Sequence, residues 1–261
     1  MIIKNILSRI TAVIIKSMNR ISDSTDQKLV KKEIIIACHQ PNYLPWLGYF
    51  YKIYQSDIFV FADNLQYSNE GMQNYCYIKT SQGPFRLKIP VLQSLGDKIN
   101  EVRTKDELRW KQKHIKAIEL NYRKAKKFSE FFNDYVKLIE KEYPSLIIMN
   151  ITIIKFIAEK LGITRRYINT SELDLNGKKE ERVLQICKAL NATIYYSGTG
   201  AKVYQNEEHF KSIGVELRYS DFTPINYQQL WDGFQSNISI LDYLMNCGYD
   251  WERVIKSQER V

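Results

Sequence analysis

Apolar residues in this chain come in short bursts between polar turns, and the period of the bursts changes along the chain. Ile34-Ile35-Ile36-Ala37-Cys38 is an unbroken apolar run, the mark of a strand buried on both faces. Pro41 and Pro45 forbid a regular helix over the next turn. From Leu47 to Tyr54 the apolar and aromatic spacing becomes helical. Asp57-Ile58-Phe59-Val60-Phe61 is a second apolar strand, ending in Ala62-Asp63-Asn64. Strand, turn, helix and strand fit within about thirty residues, the length of a right-handed crossover between parallel strands.

Further along, Tyr77–Thr80 and Phe85–Val91 predict two strands around the turn Ser81-Gln82-Gly83-Pro84, and residues 100–103 a short strand. A long helical stretch runs from Asp106 to about Lys141 and breaks near the basic patch 123–127. Residues 145–161 predict another helix, closed by Gly162. Strands are expected at 166–170, 192–196 and 215–219, with helices at 179–190 and 239–245, the last capped at Gly248. Strands alternating with helices predict an α/β fold: a mostly parallel open sheet with flanking helices, Rossmann-like, carrying a helical insertion around 106–161. Residues 33–261 are expected to form a single domain.

Residues 1–32 read differently. Apolar positions at Ile2, Ile3, Ile6, Leu7, Ile10, Val13, Ile14 and Met18 follow helical spacing, with Lys4, Arg9, Lys16 and Arg20 between them. Charge interrupts the stretch too often for a membrane span. Three readings stay open for residues 1–22: a membrane-surface amphipathic helix, an organellar transit peptide, or a helix that packs on protein. Residues 22–26 read as a polar linker.

Charge sharpens this division. The net charge is +9, and residues 1–32 hold seven Lys/Arg against two Asp. That leaves only +4 on the remaining chain, which weakens a nucleic-acid reading and suits a phosphate-bearing small molecule. The four cysteines form no CxxC pair, and with three histidines no structural metal site is expected. Widely spaced cysteines fit a reducing cytoplasm. No motif specifies a cofactor.

In open α/β sheets ligands bind beyond the carboxyl ends of the strands. Three unusual segments fall at such ends: 38–50, 62–67 and 197–202. His39 is the histidine at a strand end, and its neutral ring suits a general base; a satisfied buried histidine is the alternative. Asp63 either faces a pocket or caps a turn. Ser197, Gly198, Gly200 and Lys202 follow a strand, where backbone N–H groups and a lysine suit phosphate, although neither GxxxxGK[ST] nor GxGxxG is present. His114 lies among Arg109, Trp110, Lys111 and Lys113, a cluster that suits a diphosphate or a solvated basic face. Cys38 and His39 are adjacent on a strand and point to opposite faces, so they are not expected to form a dyad.

With those residues laid out, the chain resembles the WbqC-like family. The resemblance rests on His39-Gln40-Pro41-Asn42-Tyr43-Leu44-Pro45-Trp46-Leu47-Gly48-Tyr49-Phe50. It continues through Asp57–Val60, Gln66-Tyr67, Gln73-Asn74, Ile78-Lys79-Thr80, Lys113-His114 and Ser197–Gly200 to Asn246-Cys247-Gly248. The chain departs from that pattern at Asn64 and Tyr75. The resemblance implies association with O-antigen and other surface-glycan gene sets. A weaker likeness in element order joins the chain to HUP-type nucleotidyltransferases, in which a histidine turn meets nucleotide phosphate; their usual second histidine is missing here. Together with the three strand-end segments these lead to the expectation of a cytoplasmic transferase acting on a nucleotide-linked sugar, by acyl or aminoacyl transfer, at the inner face of the membrane if residues 1–22 touch lipid. A nucleotidyltransferase-like activating enzyme and a non-catalytic scaffold of a glycan assembly complex stay open as alternatives. Its expected base is His39, with Asp63. Its expected substrate contacts are Gln40, Asn42, Tyr43, Gln66, Asn74, Lys79, His114, Ser197, Gly198, Gly200 and Lys202.

Overall fold

The computed structural model describes residues 32–259. Five strands make one parallel sheet in the order β7-β2-β1-β8-β9: β1 (Ile35–His39), β2 (Ile58–Phe61), β7 (Arg166–Asn169), β8 (Ile194–Ser197) and β9 (Glu216–Tyr219). The chain builds outward from β1 to β2 and then β7. It next crosses back to the other side of β1 for β8 and β9, so the topological switch point lies between β1 and β8. This is the expected α/β architecture.

Both faces of the sheet are covered, which is why β1, β2 and β8 read as apolar runs instead of alternating. Ile36, Ile58, Val60, Ile168 and Tyr195 face one core, shared with Ile186 and Cys187 of α5 (Lys179–Ala189) and Phe210 of α6 (Glu207–Ser212). Ala37, Phe59, Phe61 and Tyr196 face the larger core. That core includes α1 (Leu47–Tyr54), α2 (Trp110–Tyr122), α3 (Phe128–Ile139), α4 (Leu146–Lys160), α7 (Ile240–Cys247) and α8 (Trp251–Gln258). Two antiparallel pairs lie between β2 and α2: β3 (Tyr75–Thr80) with β4 (Gly83–Lys88), and β5 (Val91–Leu92) with β6 (Arg103–Thr104).

The helical insertion breaks where the basic patch lies, since α2 ends at Tyr122 and α3 begins at Phe128. The strand expected at 100–103 is shifted to β6, and α6 and α8 go beyond the sequence expectation. The readings made for residues 1–22 and for the linker lie outside the described residues. No helix among the described residues is long and apolar enough to cross a membrane.

The turn after β1 is stiff for two reasons. Pro41 and Pro45 restrict it, and Leu44 between them sits at φ 42°, in the left-handed region that costs a leucine about 1–3 kcal/mol. Complete burial of the Leu44 side chain holds it there. Gly48 then opens α1 without a side chain because Phe222 lies where a Cβ would stand, 2.8 Å from its ideal position. Gly48 thus admits the 220–239 segment onto α1, beside Trp46.

Candidate site at the switch point

The pairing of β1 shows where the sheet opens. With β2 it stays in register to its last residue, His39 against Phe61. With β8 the pairing ends at Ile36 against Tyr195. The Ile34 carbonyl accepts from the Ile194 N–H, so a continued parallel ladder would bring the Gly198 N–H to the Cys38 carbonyl four residues on. Instead β8 leaves β1, and the Cys38 carbonyl accepts at 2.9 Å from the ammonium of Lys52, reaching down from α1.

His39 stands beside this parting. Its ring packs edge-on against Tyr49 at 4.9 Å and Trp46 at 5.7 Å, and Nδ1 lies 3.0 Å from the Gln40 carbonyl oxygen. The same oxygen accepts from the Tyr49 hydroxyl at 3.0 Å. A carbonyl can only accept, so Nδ1 is the protonated nitrogen and Nε2 keeps its lone pair. Burial and the neighbouring Lys52 charge lower the His39 pKa to about 4, so the ring is neutral near pH 7. Burial also lowers the Lys52 pKa to about 8 and raises the Cys38 thiol to about 11. Cys38 is therefore a thiol at neutral pH and faces the α5 side, away from His39.

Polar groups with unspent capacity gather behind the turn. Gln73 Nε2 donates to Gln40 Oε1, and Asn150 Nδ2 donates to the Pro41 and Gln73 carbonyls at 3.0 and 2.7 Å. Asn74 Nδ2 donates to the Ile89 carbonyl at 3.0 Å. Gln73 Oε1, Asn74 Oδ1 and Asn150 Oδ1 are buried with no partner, and Asn42 within the turn is buried. Buried polar atoms are nearly always paired, so each of these oxygens has bonding capacity left for water or a ligand.

On the β8 side, Ser197 Oγ is spent on Gln205 Oε1 at 2.7 Å. Gly198 and Gly200 have no atom within 4 Å of an added Cβ, and Gly198 has φ −76°, open to any residue. Neither packing nor backbone conformation requires a glycine at Gly198. The Lys202 ammonium lies over the Tyr219 ring at 5.0 Å, on the β9 side of the turn.

Other residues singled out by sequence stand elsewhere. Asp63 ends β2, and its carboxylate accepts from the Ser171 N–H at 2.9 Å and the Ser171 hydroxyl at 2.6 Å, with Thr170 Oγ1 at 3.0 Å. It ties the exit of β2 to the exit of β7. Asn64 lies beside it and accepts from Arg182 of α5. Tyr43 is fully buried, its hydroxyl 3.1 Å from His114 Nδ1 and 2.9 Å from the Tyr135 hydroxyl. His114 faces the core and not the basic patch, and burial lowers its pKa to about 4, so it carries no charge to offer a diphosphate near pH 7. Lys79 is buried too; its ammonium donates to the Trp231 carbonyl at 3.1 Å and to that of Gly233. Gln66 is exposed and bridges Lys98.

The switch point therefore lies between the exit of β1, with His39, Gln40 and Asn42, and the exit of β8, with Ser197, Gly198 and Gly200; Lys52, Gln73 and Asn150 bond to the β1 side. Lys52 was visible in the sequence as the charged residue of LGYFYKIY, three positions after Tyr49 on the same helical face. Among the described residues no group of His, Cys, Asp and Glu is placed to hold a metal ion.

Residues 40–254 match the WbqC-like protein family. The chain is also similar to the uncharacterized protein Rv1507c of Mycobacterium tuberculosis (strain ATCC 25618 / H37Rv), with 35% identity over 218 residues, 82% of this chain and 94% of that protein. No solved structure matches the chain significantly.

Proposed function

The chain belongs to the WbqC-like protein family, and from that premise we propose that it is a transferase modifying a nucleotide-linked amino-sugar for a surface glycan, by acyl or aminoacyl transfer. The observation that carries this reading is the parting of β1 from β8, with a neutral imidazole on one side and ligand-accessible backbone on the other. The sugar amine attacks the carbonyl carbon of an activated acyl donor, a thioester or ester. As the C–N bond forms His39 Nε2 accepts the amine proton, and as the bond from that carbon to the donor's sulfur or oxygen breaks it returns the proton to the departing thiol or alcohol. The unspent oxygens of Gln73, Asn74 and Asn150 suit the amino and hydroxyl groups of a sugar, and Gly198 and Gly200 suit the diphosphate. Asp63 holds the neighbouring strand exits in place. The proposed location is the cytoplasm, with residues 1–22 as a contact to the inner membrane face.

The test is a panel of nucleotide-sugars with heat stabilisation and transfer as readouts. A ligand that stabilises the protein identifies the substrate class, and His39→Ala then lowers its transfer rate by about 10²-fold or more. No stabilisation across the panel removes the substrate class, and a rate within a few-fold removes His39 as base.

A second reading has its own support. Numbered in chain order the sheet runs 3-2-1-4-5, the doubly wound nucleotide-binding order without its sixth strand, which suits nucleotidyl transfer. Magnesium-dependent pyrophosphate release from a nucleoside triphosphate separates it from acyl transfer. A non-catalytic scaffold is distinguished by the absence of both activities, together with liposome co-sedimentation that is lost on removing residues 1–22.

A further inference from the structure

We propose that Lys52 is the anion-binding cation of the switch point, receiving a phosphate group of the ligand where β8 leaves β1, with the Gly198 N–H as second donor. This rests on the reading of the site as one for a phosphate-bearing ligand and names the residue that holds that phosphate.

Lys52 is 6% exposed and donates one hydrogen bond, to the Cys38 carbonyl. An ammonium carries three donors, so two are left. It forms no ion pair with a described residue. A buried ammonium without a carboxylate is costly, and a neutral side chain could cap a strand carbonyl as well. A lysine is explained when its counter-charge arrives with a ligand.

The titratable and charged groups around Lys52 carry no anion that could serve instead. Cys38 on β1 is protonated, its pKa pushed up to about 11. His39, also on β1, is neutral. Tyr49 on α1 and Tyr195 on β8 have their phenols raised well above the ordinary value by burial. Arg182 of α5 acts on Cys38 as a second cation. Asp63 acts on Cys38 as well, but its oxygens are engaged by Thr170 and Ser171. The local field therefore favours an anion.

Geometry supplies the second donor. The Gly198 N–H is the group that would have bonded the Cys38 carbonyl, and it bonds no acceptor among the described residues. No atom stands within 4 Å of a Cβ at Gly198. Lys52 and the Gly198 N–H therefore compete for one carbonyl across the parting, and an anion between them satisfies both. Lys202, the lysine expected from sequence to meet phosphate, has its ammonium over Tyr219 instead.

An anion beside Lys52 stabilises its charged form. The Lys52 pKa of about 8 is below the ordinary 10.5, so at pH 8 binding draws up about half a proton from solvent. The experiment is calorimetric titration of the full-length chain with inorganic pyrophosphate at pH 8, in two buffers of different ionisation enthalpy. Wild type, Lys52→Met and Lys52→Arg are compared, with circular dichroism to establish folding. The expected result is binding by wild type with proton uptake beyond that of pyrophosphate itself. Affinity is lost at least tenfold in Lys52→Met and retained without the extra uptake in Lys52→Arg. Undiminished pyrophosphate affinity in folded Lys52→Met, equal proton uptake in Lys52→Arg, or no binding by wild type overturns the proposal. If pyrophosphate binding depends on Lys52 and no nucleotide-sugar binds, the anion site stands and the substrate class falls. If nucleotide-sugars bind Lys52→Met undiminished, the substrate class stands and the Lys52 assignment falls.

Discussion

The Lys52 ammonium donates to the Cys38 carbonyl at 2.9 Å and so occupies the acceptor that a continued β1–β8 ladder would have given to Gly198. A charge placed there has a cost in the free protein that the pH dependence of stability exposes. The Lys52 pKa falls to about 8 on folding from an ordinary 10.5, so between those values the unfolded chain binds more protons. Stability from this residue therefore rises with pH across that window, by up to about 3 kcal/mol. Subtracting the urea-unfolding curves of Lys52→Met from those of wild type between pH 7 and 10 isolates the rise. A flat difference curve rejects the buried, uncompensated ammonium.

The two histidines of lowered pKa work in the opposite pH range. His39 and His114 both fall to about 4 from 6.5, so each stays neutral in the folded protein and gains a proton on unfolding. Their contribution is complete above pH 6.5 and is lost as pH falls towards 4. His114→Gln should flatten the decline in unfolding free energy between pH 6.5 and 4.5 by about half, since one of two similar groups is gone. An unaltered slope would place the acid sensitivity elsewhere.

Asp63 has an observed set of partners, and its removal should register in stability. Asp63→Ala leaves the Ser171 N–H and hydroxyl without their acceptor. Hydrogen bonds to a charged group contribute about 1.5–3 kcal/mol each, so losing these two is expected to cost about 3–6 kcal/mol. Asp63→Asn should cost less, because the Ser171 hydroxyl can turn to accept. Equal losses in the two variants, measured by denaturant unfolding, would deny the carboxylate its positioning role.

Gly198 separates folding from binding. Its φ of −76° and the open space around it allow an alanine without strain, and the stiffer unfolded chain adds about 0.4–1 kcal/mol of stability. The same methyl stands where the ligand backbone contact is proposed. Gly198→Ala should therefore keep or raise the melting temperature while weakening nucleotide-sugar binding at least tenfold. A destabilised variant, or one that binds normally, contradicts this.

Lys52 was missed in the sequence although its helical face could be counted, whereas the direction of Tyr43 could not be read at all. Strand runs and the first crossover were legible because burial on both faces leaves Ile35–His39 and Ile58–Phe61 almost without polar residues. The partner of β2's outer edge was not legible, since β7 follows only after the whole helical insertion and a parallel edge carries no local signature. α6 and α8 escaped because each buries few apolar residues, Phe210 in one and Trp251 with Val254 in the other. In the site, residue type was readable but direction was not. The irregular turn 40–46 has no period to say that Tyr43 points inward to His114 while Gln40 meets Gln73. Lys52 lay in a regular helix, where its face could be counted.

The central claim is that the gap between β1 and β8 holds the ligand. The most direct measurement is a crystal structure soaked with the nucleotide-sugar that best stabilises the protein. The expected result is density between His39 and Gly198, with phosphate oxygens within hydrogen-bond distance of the Gly198 N–H and the Lys52 ammonium. A ligand seated anywhere else, or a switch point left unchanged at saturating ligand, contradicts it.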